Sequence, residues 1–139
     1  VTDCVFCKIV AGELPCEKVA EGDDWIAILD IRPVAPGHTL VLSRPHVETL
    51  PEARDDLLAN LIAAVRRVAP AVLRATGAEG FHLHQNNHRA AGQLVPHLHL
   101  HIIPRRSGDG IRIGWKQEPY AEGEMARTAE AVRKALTNG

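Results

Sequence analysis

The run His97-Leu98-His99-Leu100-His101-Ile102-Ile103 constrains this chain more than any other segment. Imidazole and aliphatic side chains alternate along it. Successive side chains of a strand point to opposite faces. The run therefore predicts a strand over His97–Ile103, with His97, His99 and His101 on one face and Leu98, Leu100 and Ile102 on the other. The aliphatic face belongs against a core. The imidazole face offers a nucleophile, a proton donor and metal ligands within a few ångströms of one another.

The rest of the chain supplies elements that could provide the core. Trp25 to Ile31 is rich in β-formers and ends at the turn-prone segment Pro33 to Gly37; His38 to Ser43 follows, so the two runs predict a hairpin. Thr49-Leu50-Pro51-Glu52 fits a capping box with proline in the first turn, which predicts a helix starting near Thr49. Leu57, Leu61, Val65, Val68, Val72 and Leu73 then recur at a helical period. Pro70 interrupts the hydrogen-bond ladder but not the phase of the stripe, so a kinked helix ending by Gly77 is expected. Phe81 to Asn86 reads as a strand, with the histidine run as its expected antiparallel partner. A second amphipathic helix is expected from about Glu122 to Leu136, with Met125, Ala129, Val132 and Leu136 on one side. Strand runs separate from one long helix predict an α+β class, and 139 residues suit a single domain.

A formal net charge of −1 gives no electrostatic case for a nucleic-acid partner. No run of about 18 apolar residues suggests a membrane span. No charged segment followed by an apolar stretch opens the sequence, and a cytoplasmic protein is expected. Of the three cysteines, Cys4 and Cys7 form a Cys-x-x-Cys pair, which in that setting points to metal rather than to a disulfide framework; Cys16 has no partner by spacing.

Three motifs occur together and in order: Cys4-Val5-Phe6-Cys7-Lys8-Ile9 with Gly12-Glu13-Leu14-Pro15; Leu29-Asp30-Ile31-Arg32-Pro33-Val34-Ala35-Pro36-Gly37-His38; and the stretch from Asn86 through Ala91-Gly92-Gln93 and Pro96 to Pro104-Arg105. Over residues 4–105 the chain resembles the histidine triad (HIT) family of nucleotidyl hydrolases and transferases, in particular its Hint branch; the tail, 106–139, carries little of the likeness. The resemblance implies an antiparallel sheet packed by one long helix, and a homodimer with a continuous sheet. It implies cleavage at the α-phosphate of nucleoside phosphoramidates or dinucleoside polyphosphates through a covalent nucleotidyl-His99. His101 would face the phosphate oxygens, His97 and His38 would support the imidazole network, and Gln93 would contact the phosphate or bridging group. Asp30 would hold the ribose hydroxyls. Phe6, Ile28 and Ile31 would flank the base, Asn86 would contact the phosphate or nearby backbone, and Gly92 would let backbone approach the phosphates. Taken alone, Asp30 also reads as a turn-initiating aspartate and Asn86 as a turn asparagine.

Some bacterial members similar to this chain bind structural zinc, and the matching ligands here are Cys4, Cys7, His46 and His97. Such a metal would orient the histidine row and is not needed for the chemistry. The chain departs from the family pattern at Leu94, where many members carry a small hydroxyl residue, and in having His82, His84 and His88. His82 and His84 share a strand face with Asn86; Trp115 lies in the tail.

Two other readings compete. A zinc hydrolase would use His97, His99 and His101 as ligands with an open water position; yet an i, i+2, i+4 row spans about 13 Å, too long for one ion without bending. A non-catalytic nucleotide sensor would bind without turnover. A phosphate-loop kinase is excluded, since no glycine-rich lysine motif is present.

Overall fold

The computed structural model describes residues 3–112 and 114–139. A short helix α1 (Val5–Val10) is followed by strands β1 (Lys18–Glu21), β2 (Trp25–Leu29) and β3 (Thr39–Ser43), the long helix α2 (Asp55–Thr76), strands β4 (Gly80–His84) and β5 (His99–Arg105), and helix α3 (Glu124–Asn138). The five strands form one antiparallel sheet in the order β1-β2-β3-β5-β4. The class is the α+β arrangement expected.

The pleat sorts side chains as the alternation predicts. Trp25, Ala27, Val41, Leu98, Leu100 and Ile102 pack beneath α2 against Leu57, Leu61, Val65, Val68 and Val72. Ile26, Ile28, Leu40 and Leu42 face the other way and pack with Cys4 and Phe6 of the α1 region. The histidines share this second face.

Two local expectations need correction, the starts of α2 and of β5. α2 begins at Asp55, not near Thr49. The Thr49 hydroxyl donates to the Glu52 carboxylate at 2.6 Å instead of capping a helix, and the capping-box residues form a single 3-10 turn (Leu50–Glu52) that ends at extended Ala53. As the phase of the stripe predicts, α2 continues through Pro70 and ends at Gly77; there φ is +70° and the N–H caps the Leu73 carbonyl. β5 begins at His99, so His97 precedes the strand although its ring stays on the same face. β1 has no sequence counterpart, because four largely exposed residues on a sheet edge carry no alternation.

Gly37 closes the β2–β3 hairpin with φ +94°, and a Cβ there would lie 2.5 Å from Thr76 Cγ2. Only glycine fits both the backbone conformation and the space. The turn delivers His38 beside His101, 63 residues away in the chain.

Candidate functional site

The His99 imidazole is buried and fixed by one backbone contact. Its Nδ1 lies 2.6 Å from the His97 carbonyl. A carbonyl only accepts, so Nδ1 carries the proton and Nε2 keeps an in-plane lone pair. Burial holds the ring's pKa below its ordinary value, against opposing effects of the His97 hydrogen bond and Asp30, so the ring is neutral at pH 7. Phe6 packs edge-on against it, ring centroids 4.9 Å apart.

The neighbouring tautomers follow in sequence. The Val34 N–H donates to His38 Nδ1 at 3.1 Å. Burial keeps His38 neutral, so its remaining proton sits on Nε2 and is donated to His101 Nδ1 at 2.9 Å. His101 therefore holds its own proton on Nε2, free to bond an oxygen above the sheet. Burial first, then the charges of His99, His38 and His84, push the His101 pKa down to about 4. Asp30 Oδ2 stands 3.7 Å from His38 Nε2, while Oδ1 accepts the Arg32 N–H at 2.8 Å. The aspartate thus caps the turn and still faces the histidine network.

The other expected residues divide. Phe6 and Ile28 are buried on the histidine face of the sheet, whereas Ile31 and Leu94 are 91 % and 84 % exposed. Asn86 Nδ2 donates to the Gly92 carbonyl at 3.3 Å, the nearby-backbone contact foreseen for it. Both ends of the Gln93 amide meet the protein itself. Its Oε1 accepts the His88 N–H at 2.7 Å and its Nε2 donates to the Glu48 carbonyl at 2.6 Å, so the amide ties the loop to the body of the domain. His88 adopts φ +71°, ψ 158°, a conformation that suits glycine. Arg105 Nη1 donates to His82 Nδ1 at 3.2 Å while the guanidinium grips Asp109 through Nε and Nη2. Trp115 is 75 % exposed.

A second cluster adjoins the first. Cys4, Cys7, His46 and His97 bring one ligand atom each within 4.8 Å of the others. Cys4 Sγ–His97 Nδ1 is 3.4 Å, Cys7 Sγ–His46 Nδ1 3.2 Å, Cys7 Sγ–His97 Nδ1 3.6 Å and His46 Nδ1–His97 Nδ1 3.2 Å. Tetrahedral zinc at ordinary bond lengths calls for edges of about 3.6 Å for S–N pairs and about 3.3 Å for N–N pairs, so the donor set fits that ion. His97 Nε2 donates to the Ser43 carbonyl at 2.6 Å, leaving Nδ1 unprotonated toward the cluster. Ser43 has no signal in the sequence beyond its place at a strand end. His97 thus faces the cluster through its ring and holds the His99 tautomer through its carbonyl.

Among the described residues the other group of this kind is Asp30, His38 and His101; His97, His99 and His101 do not form one. In the Asp30 group the His38 Nε2 proton is donated to His101 Nδ1, with the Asp30 carboxylate 3.7 Å away, and the three-histidine zinc hydrolase lacks its geometry.

A model of the HIT domain matches residues 11–108. The adenylylsulfatase HINT3 of Arabidopsis thaliana is 40 % identical over 129 residues, 93 % of this chain and 64 % of the plant protein. The adenosine 5′-monophosphoramidase hnt1 of Schizosaccharomyces pombe is 38 % identical over 134 residues, 96 % of this chain and 98 % of the yeast protein. Among solved structures, a zinc-bound histidine triad family protein of Mycobacterium smegmatis superposes with a TM-score of 0.76 at 36 % identity, covering 97 % of this chain and 98 % of that one.

Proposed function

The chain belongs to the HIT domain family, and from that premise we propose that it is a nucleotide hydrolase that transfers a nucleotidyl group to His99 Nε2 and then to water. The observation that carries this reading is the His99 Nδ1–H bond to the His97 carbonyl, which leaves Nε2 as the nucleophilic lone pair in a ring kept neutral by burial. In the first step Nε2 forms a bond to the α-phosphorus and the bond to the leaving atom breaks, its electron pair departing with that atom. In the second step water attacks phosphorus, the P–N bond breaks back to His99, and a nucleoside monophosphate leaves. An amine leaving group takes up a proton in the first step and the attacking water releases one in the second, so the cycle balances.

The remaining roles rest on position. His101 Nε2–H donates to a phosphate oxygen and stabilises the charge that develops there. His38 holds His101 in that tautomer. Asp30, at the end of β2, takes the ribose hydroxyls, and Phe6, Ile28 and Ile31 border the base. Gln93 serves the phosphate through the loop it braces, with Gly92, Asn86 and Leu94 at the rim. The names of the plant and yeast relatives support adenylyl sulfate and adenosine phosphoramidate as the substrate types. Zinc held by Cys4, Cys7, His46 and His97 would anchor the segment that carries the His97 carbonyl; the zinc-bound mycobacterial neighbour supports binding of the metal. β4 leaves an open sheet edge with Phe81 and Leu83 exposed, which supports a homodimer joined edge to edge. No described helix is long and apolar enough to cross a membrane.

The test is hydrolysis of adenosine 5′-phosphoramidate by the wild type and His99→Ala, with and without chelator. Adenylate release that persists in chelator and vanishes in His99→Ala, with an adenylylated intermediate caught by rapid acid quench and mass spectrometry, is the expected result. Substantial turnover by His99→Ala would sink the nucleophile. Loss of turnover in chelator with circular dichroism unchanged would favour a zinc hydrolase.

A further inference from the structure

We propose that His84 is a specificity-determining residue that favours substrates whose leaving group is an oxyanion, sulfate or phosphate, over those that release an amine. The inference rests on the nucleotidyl-transfer reading above and deepens it. In the β4–β5 register His84 lies directly opposite His101. The two rings meet edge to face, centroids 5.8 Å apart and planes at 76°. His84 is half-buried, and among the described residues its ring nitrogens have no hydrogen-bond partner, whereas Arg105 engages the Nδ1 of His82 two residues earlier.

The order of the strands places His84 relative to the substrate. Asp30 follows β2 and His84 ends β4, so they flank His101 from opposite sides of the sheet order β2-β3-β5-β4. A nucleotide with its ribose at Asp30 and its α-phosphate above His99 and His101 directs its next substituent toward β4. That strand, Gly80-Phe81-His82-Leu83-His84, carries no carboxylate to repel an anion.

The two leaving-group classes make different demands. An amine departs uncharged but needs a proton. Sulfate or phosphate needs none: the P–O bond breaks, the electron pair leaves with the oxygen, and His99 Nε2 takes its place on phosphorus. What such a group needs is a donor for its negative oxygens, and an imidazole N–H supplies one at the cost of no other bond. A charge-assisted hydrogen bond of this kind at a partly exposed position corresponds to about tenfold in kcat/KM.

The experiment compares kcat/KM for adenosine 5′-phosphosulfate, diadenosine tetraphosphate and adenosine 5′-phosphoramidate in the full-length wild type, His84→Leu and His84→Gln. The expected result is that His84→Leu lowers the ratio of an anionic substrate to the phosphoramidate about tenfold, and that His84→Gln, which keeps an N–H donor, recovers most of it. A fall for the sulfate alone identifies a site shaped for that group; a fall for both identifies a general oxyanion site. Ratios within twofold of wild type overturn the proposal. So does an equal fall for all three substrates, which would mean that His84 acts through His101. A wild type that hydrolyses only the phosphoramidate refutes the inference and leaves the nucleotidyl-transfer reading standing, whereas one that hydrolyses none of the three refutes both.

Discussion

Acid should begin to destabilise this fold below about pH 6.5, because the half-buried His101 imidazole resists a second proton. In the unfolded chain a histidine binds its second proton near pH 6.5. In the fold His101 does so only at about 4, chiefly through burial and then through the neighbouring imidazoles. Between those values the unfolded state holds more protons, so stability falls as pH falls. The contribution is fully present above pH 6.5, is lost progressively down to about pH 4, and changes little further below. A shift of that size corresponds to about 3 kcal/mol at most; the ring is partly open to solvent, and discounting for screening leaves about 2 kcal/mol. The assay is urea unfolding at half-unit steps from pH 7 to pH 4 for the wild type and His101→Gln. Glutamine keeps an acceptor for the His38 Nε2–H but does not titrate. Subtracting one protein from the other cancels proton-linked events at Cys4, Cys7, His46 and His97. The difference in unfolding free energy should shrink by about 2 kcal/mol between pH 6.5 and pH 4. A flat difference, or nitrogen NMR placing the His101 titration at or above pH 6.5, would refute the reasoning.

Three further outcomes are expected. Gly37→Ala should destabilise by about 2 kcal/mol or more in urea unfolding, since a Cβ at φ +94° meets both an unfavourable backbone conformation and Thr76 Cγ2 at 2.5 Å. His88→Gly should instead stabilise by about 1 kcal/mol in the same assay, relieving a backbone at φ +71°, ψ 158° while keeping the N–H that Gln93 accepts. Cys7→Ala should abolish stoichiometric zinc in the purified protein by elemental analysis, because it removes one of four ligands already spaced for a tetrahedron, whereas Cys16→Ala should leave the metal content unchanged.

The candidate site was partly legible in advance for an identifiable reason. The alternation of the histidine run and the Cys4-x-x-Cys7 pair were readable from the residues alone, whereas the parts given to His38, His46 and His97 came from the resemblance to the family. Gln93 is less legible, because an amide serves a phosphate and a loop carbonyl equally well, and only the tertiary structure brings it to His88 and Glu48. The helix start was misjudged because Thr49 and Glu52 satisfy each other within one 3-10 turn, a local competition that the capping pattern does not reveal.

What the sequence by itself determined is whatever local geometry enforces. The pleat sends alternate residues to opposite faces, so three imidazoles had to oppose Leu98, Leu100 and Ile102; the helical period likewise sorted Leu57, Leu61, Val65, Val68 and Val72 onto the face that covers them. Only the tertiary structure decided which partners meet across long separations. His38 reaches His101 across 63 residues through the register of β3 against β5, and Cys4 reaches His97 across 93 because the α1 region packs on that face of the sheet. The protonated nitrogens of His38, His99 and His101 were decided there too. An imidazole is symmetric in its choice of tautomer until a backbone carbonyl or N–H faces one nitrogen, and those backbone groups come into place only when the sheet has formed.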